Sequence, residues 1–159
     1  MNNRAYWSSD LYPLFLNTVS SCTYVSLTDG ELENELSGLA RRAIARFKFP
    51  KISLRYELDR ELDADNNIRG YYFVEEPTML ELNVILAWMK VYWLEFQLSK
   101  ERHYENTYAD KNVTAFSSGN LISSMEKAYN ALRTEARKCE EDYGRINKDG
   151  RPAIGDINV

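Results

Sequence analysis

The strongest periodicity in the chain begins at Leu32. Leu32, Leu36, Leu39, Ala43 and Phe47 recur at helical spacing, and Ala40 and Ile44 widen them into one apolar face. Thr28-Asp29-Gly30-Glu31 stands just before this stripe as a capping box, in which Thr28 can accept from the Glu31 amide while the Glu31 carboxylate reaches back. The spacing predicts a helix over 29–48, ended by Pro50. A second capping box, Thr78-Met79-Leu80-Glu81, opens a helix over 79–104. Leu82, Ile85, Leu86, Met89, Trp93 and Phe96 form one apolar face there, and Trp88 and Tyr92 add another. A helix that is apolar on two sides belongs at the centre of a bundle or against a neighbouring subunit, which makes Trp88, Trp93 and Phe96 core or subunit-contact candidates. The last helix is predicted from a cap at Ser117 or Ser118 to Gly144 in the C′ position. Leu121, Met125, Ala128, Leu132, Ala136 and Cys139 would be its buried stripe, with Lys127, Arg133, Arg137 and Glu140 facing out. Near the start, Ser9 or Asp10 is placed to cap a short helix to Leu16 that shares Leu11, Leu14 and Phe15 on one face. Residues 19–25 and 105–117 read as connections.

Between the first two long helices the period changes to two. Ile52-Ser53-Leu54-Arg55-Tyr56-Glu57-Leu58 alternates apolar and polar, and Tyr71-Tyr72-Phe73-Val74 has strong strand propensity. A polar turn separates them, so 51–76 is expected to be a β-hairpin with an exposed acidic tip at 63–67. Asp63, Asp65 and Asn67 on that tip are expected to contact another subunit or protein. Residues 145–159 carry Gly150, Pro152 and Gly155 and few apolar side chains. They are expected to form an extended arm that orders only against a partner, with Ile154 and Ile157 as anchors. The expected fold is therefore mainly α: a small bundle of about four helices over 1–144, with one β-hairpin and a C-terminal arm.

Composition narrows the function. A chain of 159 residues is one domain that folds without disulfide or metal staples. Twenty basic against 24 acidic side chains give a net charge of −4, which argues against binding nucleic acid by broad phosphate neutralisation. No apolar run approaches the length of a membrane span. Met1-Asn2-Asn3-Arg4-Ala5-Tyr6-Trp7 lacks the apolar core of a signal peptide, so Cys22 and Cys139 are expected to be reduced thiols. Aromatic residues make up 13% of the chain against a single His, which favours large buried or subunit-facing apolar areas over imidazole chemistry.

Few residues offer chemistry. Asp63-x-Asp65-x-Asn67 supplies the first three oxygens of a calcium loop, but Ile68 stands where Gly is needed and Val74 where the bidentate Glu is needed. Glu57, Asp59, Glu61, Asp63 and Asp65 make a dense acidic run that could hold a metal, yet no nucleophile or electrostatic stabiliser accompanies it. The bland alternative is a solvated face. His103 sits where a helix C-terminus favours it, and the serines at 117, 118, 123 and 124 lack a nucleophile elbow. Asn112-Val113-Thr114 matches a glycosylation acceptor by chance in a chain without a secretory signal. Arg41, Arg42 and Arg46 follow Glu31, Glu33 and Glu35 along one helix, the order that compensates a helix dipole. No catalytic residue, metal site or cofactor is expected. A metal-dependent enzyme built on the acidic hairpin, and a monomeric protein-binding adaptor or regulator, are the competing classes.

The order of these elements carries a resemblance. Asp10-Leu11-Tyr12-Pro13 precedes a helix ending Ala43-Ile44-Ala45-Arg46-Phe47. A charged hairpin follows, then Glu81-Leu82-Asn83-Val84-Ile85-Leu86-Ala87-Trp88-Met89 running on to Tyr92-Trp93-Leu94. Ala115-Phe116-Ser117-Ser118-Gly119-Asn120-Leu121 opens the last helix, which closes on Glu141-Asp142-Tyr143. Over residues 10–143 this resembles the head–tail connector (adaptor or head-completion) proteins of tailed bacteriophages. The resemblance implies a structural protein of the virion neck, made in the host cytoplasm and assembled as a ring of about a dozen copies. Its implied partners are the portal protein, a tail, stopper or collar protein, and other copies of itself. DNA would pass through the lumen without sequence-specific binding, and an acidic lumen would keep phosphates from sticking.

Overall fold

A computed structural model describes residues 4–19, 24, 27–62, 68–108 and 118–146, with side chains omitted at 105–108 and 118–119. The elements run in the order β1 (Ala5–Tyr6), α1 (Trp7–Asp10), α2 (Tyr12–Leu16), α3 (Asp29–Arg46), β2 (Tyr56–Leu62), β3 (Ile68–Phe73), α4 (Met79–Tyr108) and α5 (Ser118–Gly144). The architecture is mainly α, as expected: three long helices, a short helical pair at the start, and a hairpin.

Helix α3 begins where its capping box places it. Thr28 accepts from the Glu31 amide, and the Glu31 carboxylate accepts from the Thr28 amide at 2.9 Å. The predicted stripe is the buried one: Leu36, Leu39, Ala40 and Ala43 are buried within the helix, and Phe47 closes it. Helix α4 is buried nearly all round in its first half, with Val84, Ile85 and Met89 fully enclosed. It lies antiparallel to α3, which it meets through Arg42–Glu95 at 2.7 Å and Arg46 over the Trp88 ring. It is antiparallel to α5 as well, pairing Lys90 with Glu135 and Arg102 with Glu126.

Several expectations need correction. The N-terminal helix starts at Trp7 rather than at Ser9 or Asp10, and its N-cap residue Tyr6 makes no side-chain cap. It breaks at Leu11 into two short pieces, the second led by Pro13. The hairpin is part of a three-stranded antiparallel sheet of order β1-β3-β2, because Ala5 and Tyr6 pair with Phe73 and Tyr72. Two residues are too few to leave an alternation in the sequence. Helix α4 runs four residues past the predicted end, into the segment read as a connection. On α5 the inward face is Ile122, Met125, Tyr129, Leu132, Ala136, Cys139 and Tyr143, while Leu121 and Ala128 turn outward. Glu140, expected in solvent, accepts from the Lys48 amide at 2.9 Å and from the Trp88 indole at 3.3 Å. The arm 147–159 lies outside the described residues. Arg145 and Ile146 extend the last turn of α5.

Two anchors hold the sheet and helix ends together. Trp7 is fully buried, and its ring lies 4.9 Å from both Tyr56 and Tyr71 and 5.5 Å from Phe73. This aromatic cluster seats the base of the hairpin on α1. At the C-terminal end of α5, Tyr143 donates to buried Glu81 at 2.5 Å and accepts from the Lys51 amide at 2.7 Å. One side chain thus joins α5, the start of α4 and the segment leading into β2.

Candidate interaction surface

The sheet has two unlike faces. Tyr56, Tyr71 and Phe73 point toward Trp7, so this face is part of the core. The other face carries a polar network. Asp59 accepts from the Tyr6 hydroxyl at 2.7 Å, from Arg4 at 3.0 Å and from the Glu61 amide at 3.0 Å. It is only 8% exposed. The Tyr6 and Glu61 hydrogen bonds, with the Arg4 charge, hold its carboxyl below the usual carboxylate range. Glu57 accepts from Tyr72 at 2.8 Å and Arg55 at 2.7 Å, and its carboxyl is likewise lowered, chiefly by Tyr72. Arg4 lies 4.7 Å above the Tyr72 ring.

The acidic run is therefore not one cluster. Asp59 and Glu57 are taken up by tyrosines and arginines across the strands, and Glu61 pairs with Arg69 at 3.3 Å. Among the described residues no group of three or more His, Cys, Asp or Glu side chains is placed to hold a metal ion. Asp63, Asp65 and Asn67 lie outside the described residues, as do Ile154, Ile157, Cys22 and Asn112. Among the described residues no helix is long and apolar enough to cross a membrane. His103 is exposed on α4, and Ser123 and Ser124 are exposed on α5. Cys139 is half-buried, and burial pushes its thiol pKa up, away from reactivity.

Beyond Trp7 the hairpin projects with apolar side chains in solvent. Leu58 is 43% exposed, Leu62 51% and Ile68 61%, and Leu62 and Ile68 face each other across the strands. By strand parity Leu58 shares its face with Tyr56, yet it is exposed where Tyr56 packs on Trp7. A bulge at Arg60 and Glu61, opposite Arg69, shifts the register just before Leu62. Gly70 has φ +84°, where only glycine is unstrained, and a Cβ there would press to 3.3 Å from Glu33.

The predicted aromatic contacts divide three ways. Trp88 is buried between Arg46 and Glu140. Trp93 is half-buried against the core, and its buried indole N–H has no partner among the described residues. Phe96 is not in the core. It is exposed beneath the Lys100 ammonium and lines an open groove of about 570 Å³ with Asn34, Leu39, Arg41 and Ala45 of α3. Phe49, 80% exposed after α3, carried no periodic signal that could have marked it. The outward Leu62 and Ile68 could have been suspected, because each flanks the polar turn where no core can reach.

Comparison with known protein-family models, with curated proteins and with solved structures finds no match.

Proposed function

We propose that the chain is a structural subunit of an oligomeric adaptor ring in the neck of a tailed bacteriophage, joining portal to tail around the DNA channel. The observation that carries this reading is the hairpin. Its base is anchored by Trp7, and its outer half holds Leu58, Leu62 and Ile68 away from the helices. Apolar side chains presented in solvent on a projecting hairpin are suited to contact between protein subunits. The order of short helical pair, helix, hairpin and two long helices supports the same reading. No cofactor, metal or catalytic residue takes part in it.

The test is assembly. The chain carrying Leu62→Glu and Ile68→Glu should fold like the parent, since both side chains are exposed. Native mass measurement and negative-stain imaging of the parent on portal-bearing heads should show a ring of about a dozen copies, and the double variant should fail to incorporate. A parent chain that stays monomeric on such heads would replace the ring with a monomeric adaptor.

A further inference from the structure

Glu33 stands where α2, α3 and the hairpin meet. Its carboxylate is half-buried and accepts from the Tyr12 hydroxyl of α2 at 3.0 Å. Its Oε1 also lies over Gly70 of β3, 3.3 Å from the place a Cβ would take. Gly70 is buried, and its lack of a side chain is what lets strand and carboxylate approach. No cation pairs with Glu33 among the described residues. From α2 the facing group is Tyr12, and Tyr71 of β3 acts on Tyr12 in turn. Along α3, Asp29 lies one turn before Glu33, and Arg41 lies two turns after it with its guanidinium 6.0 Å from the Tyr71 ring. Asp59, opposite Gly70 in register, is already held by Arg4 and Tyr6.

An ionised carboxyl half removed from water and lacking a counter-ion is costly, and a neutral one is not. Burial accordingly raises the Glu33 carboxyl above the ordinary glutamate value, and the Tyr12 hydrogen bond offsets only part of the rise. Tyr12 is itself pushed up, by burial first and then by Glu33, so it remains a donor in both states of the acid. A protonated Glu33 still has an oxygen to accept from it. We propose that Glu33 is a proton-sensitive link between α3 and the hairpin: the neutral carboxyl holds the hairpin base in place, and the carboxylate loosens it. A carboxyl whose folded value lies above its unfolded one, near about 4.3, favours the closed arrangement most below the unfolded value, and that advantage is lost as pH rises through the folded value. The hairpin carries exposed Leu62 and Ile68, so its seating sets how firmly those side chains are presented. The link is independent of whether the chain forms a ring.

The Trp7 indole N–H reports release of the hairpin base, because the ring is fully buried against Tyr56, Tyr71 and Phe73. Its solvent exchange is compared between the parent and Glu33→Gln at each pH, so that the intrinsic chemistry of exchange cancels. Glutamine keeps the shape and an acceptor for Tyr12 but takes up no proton. The ratio of parent to variant exchange rates should fall at least about twofold between about pH 6.5 and about pH 4. Carbon NMR of the Glu33 carboxyl should give a midpoint above that of a blocked glutamate peptide. A rate ratio that does not change with pH would make Glu33 a fixed hydrogen-bond partner and overturn the proposal. So would a Glu33 carboxyl that titrates at or below the peptide value. If Glu33→Gln does not fold, the parent decides alone: the Gly70 amide should shift with the Glu33 midpoint, and a Gly70 amide that ignores it would overturn the link to the hairpin.

Discussion

The base of the hairpin and the C-terminal end of α5 are both organised around one aromatic ring, and they are held in opposite ways. Trp7 works by contact alone. Its ring is enclosed by Tyr56, Tyr71 and Phe73, and its indole N–H has no hydrogen-bond partner among the described residues. Tyr143 packs its ring edge-on to Phe47 at 5.0 Å, but its hydroxyl carries two directional bonds, to Glu81 and from Lys51. The difference teaches where each anchor is vulnerable. Apolar contact depends on volume and tolerates a change of chemistry. A buried polar junction tolerates little, because loss of one atom strands the partners it leaves behind.

The largest effect should come from Trp7→Ala, which opens a cavity beneath all three strand rings. A loss of about 4 kcal/mol in urea unfolding is expected. Trp7→Phe should cost well under half of that, since the N–H it removes has no partner among the described residues. A loss below about 1 kcal/mol for the alanine variant would show that the hairpin base is anchored elsewhere.

Tyr143→Phe removes one oxygen and keeps the ring. It leaves the Glu81 carboxylate short of a donor and the Lys51 amide short of an acceptor, so about 2 kcal/mol should be lost. A variant as stable as the parent would erase the contrast between the two anchors.

The smallest effect is in the pH dependence. Burial raises the Glu81 carboxyl, but hydrogen bonds from Thr78 and Tyr143 outweigh it, and the net position is below the ordinary value. Tyr143, pushed up to about 12 mainly by burial and then by Glu81, remains a donor throughout the acid range. A carboxyl depressed in the folded chain stabilises it above the unfolded value, near about 4.3, and that contribution disappears as pH falls through the folded value. Glu81→Gln should therefore show a shallower loss of stability below about pH 4 than the parent, read from urea midpoints at successive pH values. Parallel curves would remove Glu81 from the acid response.

The capped start of α3, its end before Pro50, the inward stripe of Leu36, Leu39 and Ala43, and the existence of the hairpin were all legible in the residue pattern. Each rests on neighbours within about four positions, or on an alternation that a short stretch displays by itself. The tertiary structure decided the rest. Tyr6 meets Asp59 across 53 residues, and that distant pairing buries a carboxylate in a run that reads as solvated. The apolar arc of α5 is broad enough to turn in more than one way, and packing on α4 selected Ile122 and Tyr143 over Leu121 and Ala128. Strand β1 exists only because Phe73 and Tyr72 are there to receive it. Local sequence sets which segments are helix or strand; which face is buried depends on the neighbour that arrives from far along the chain.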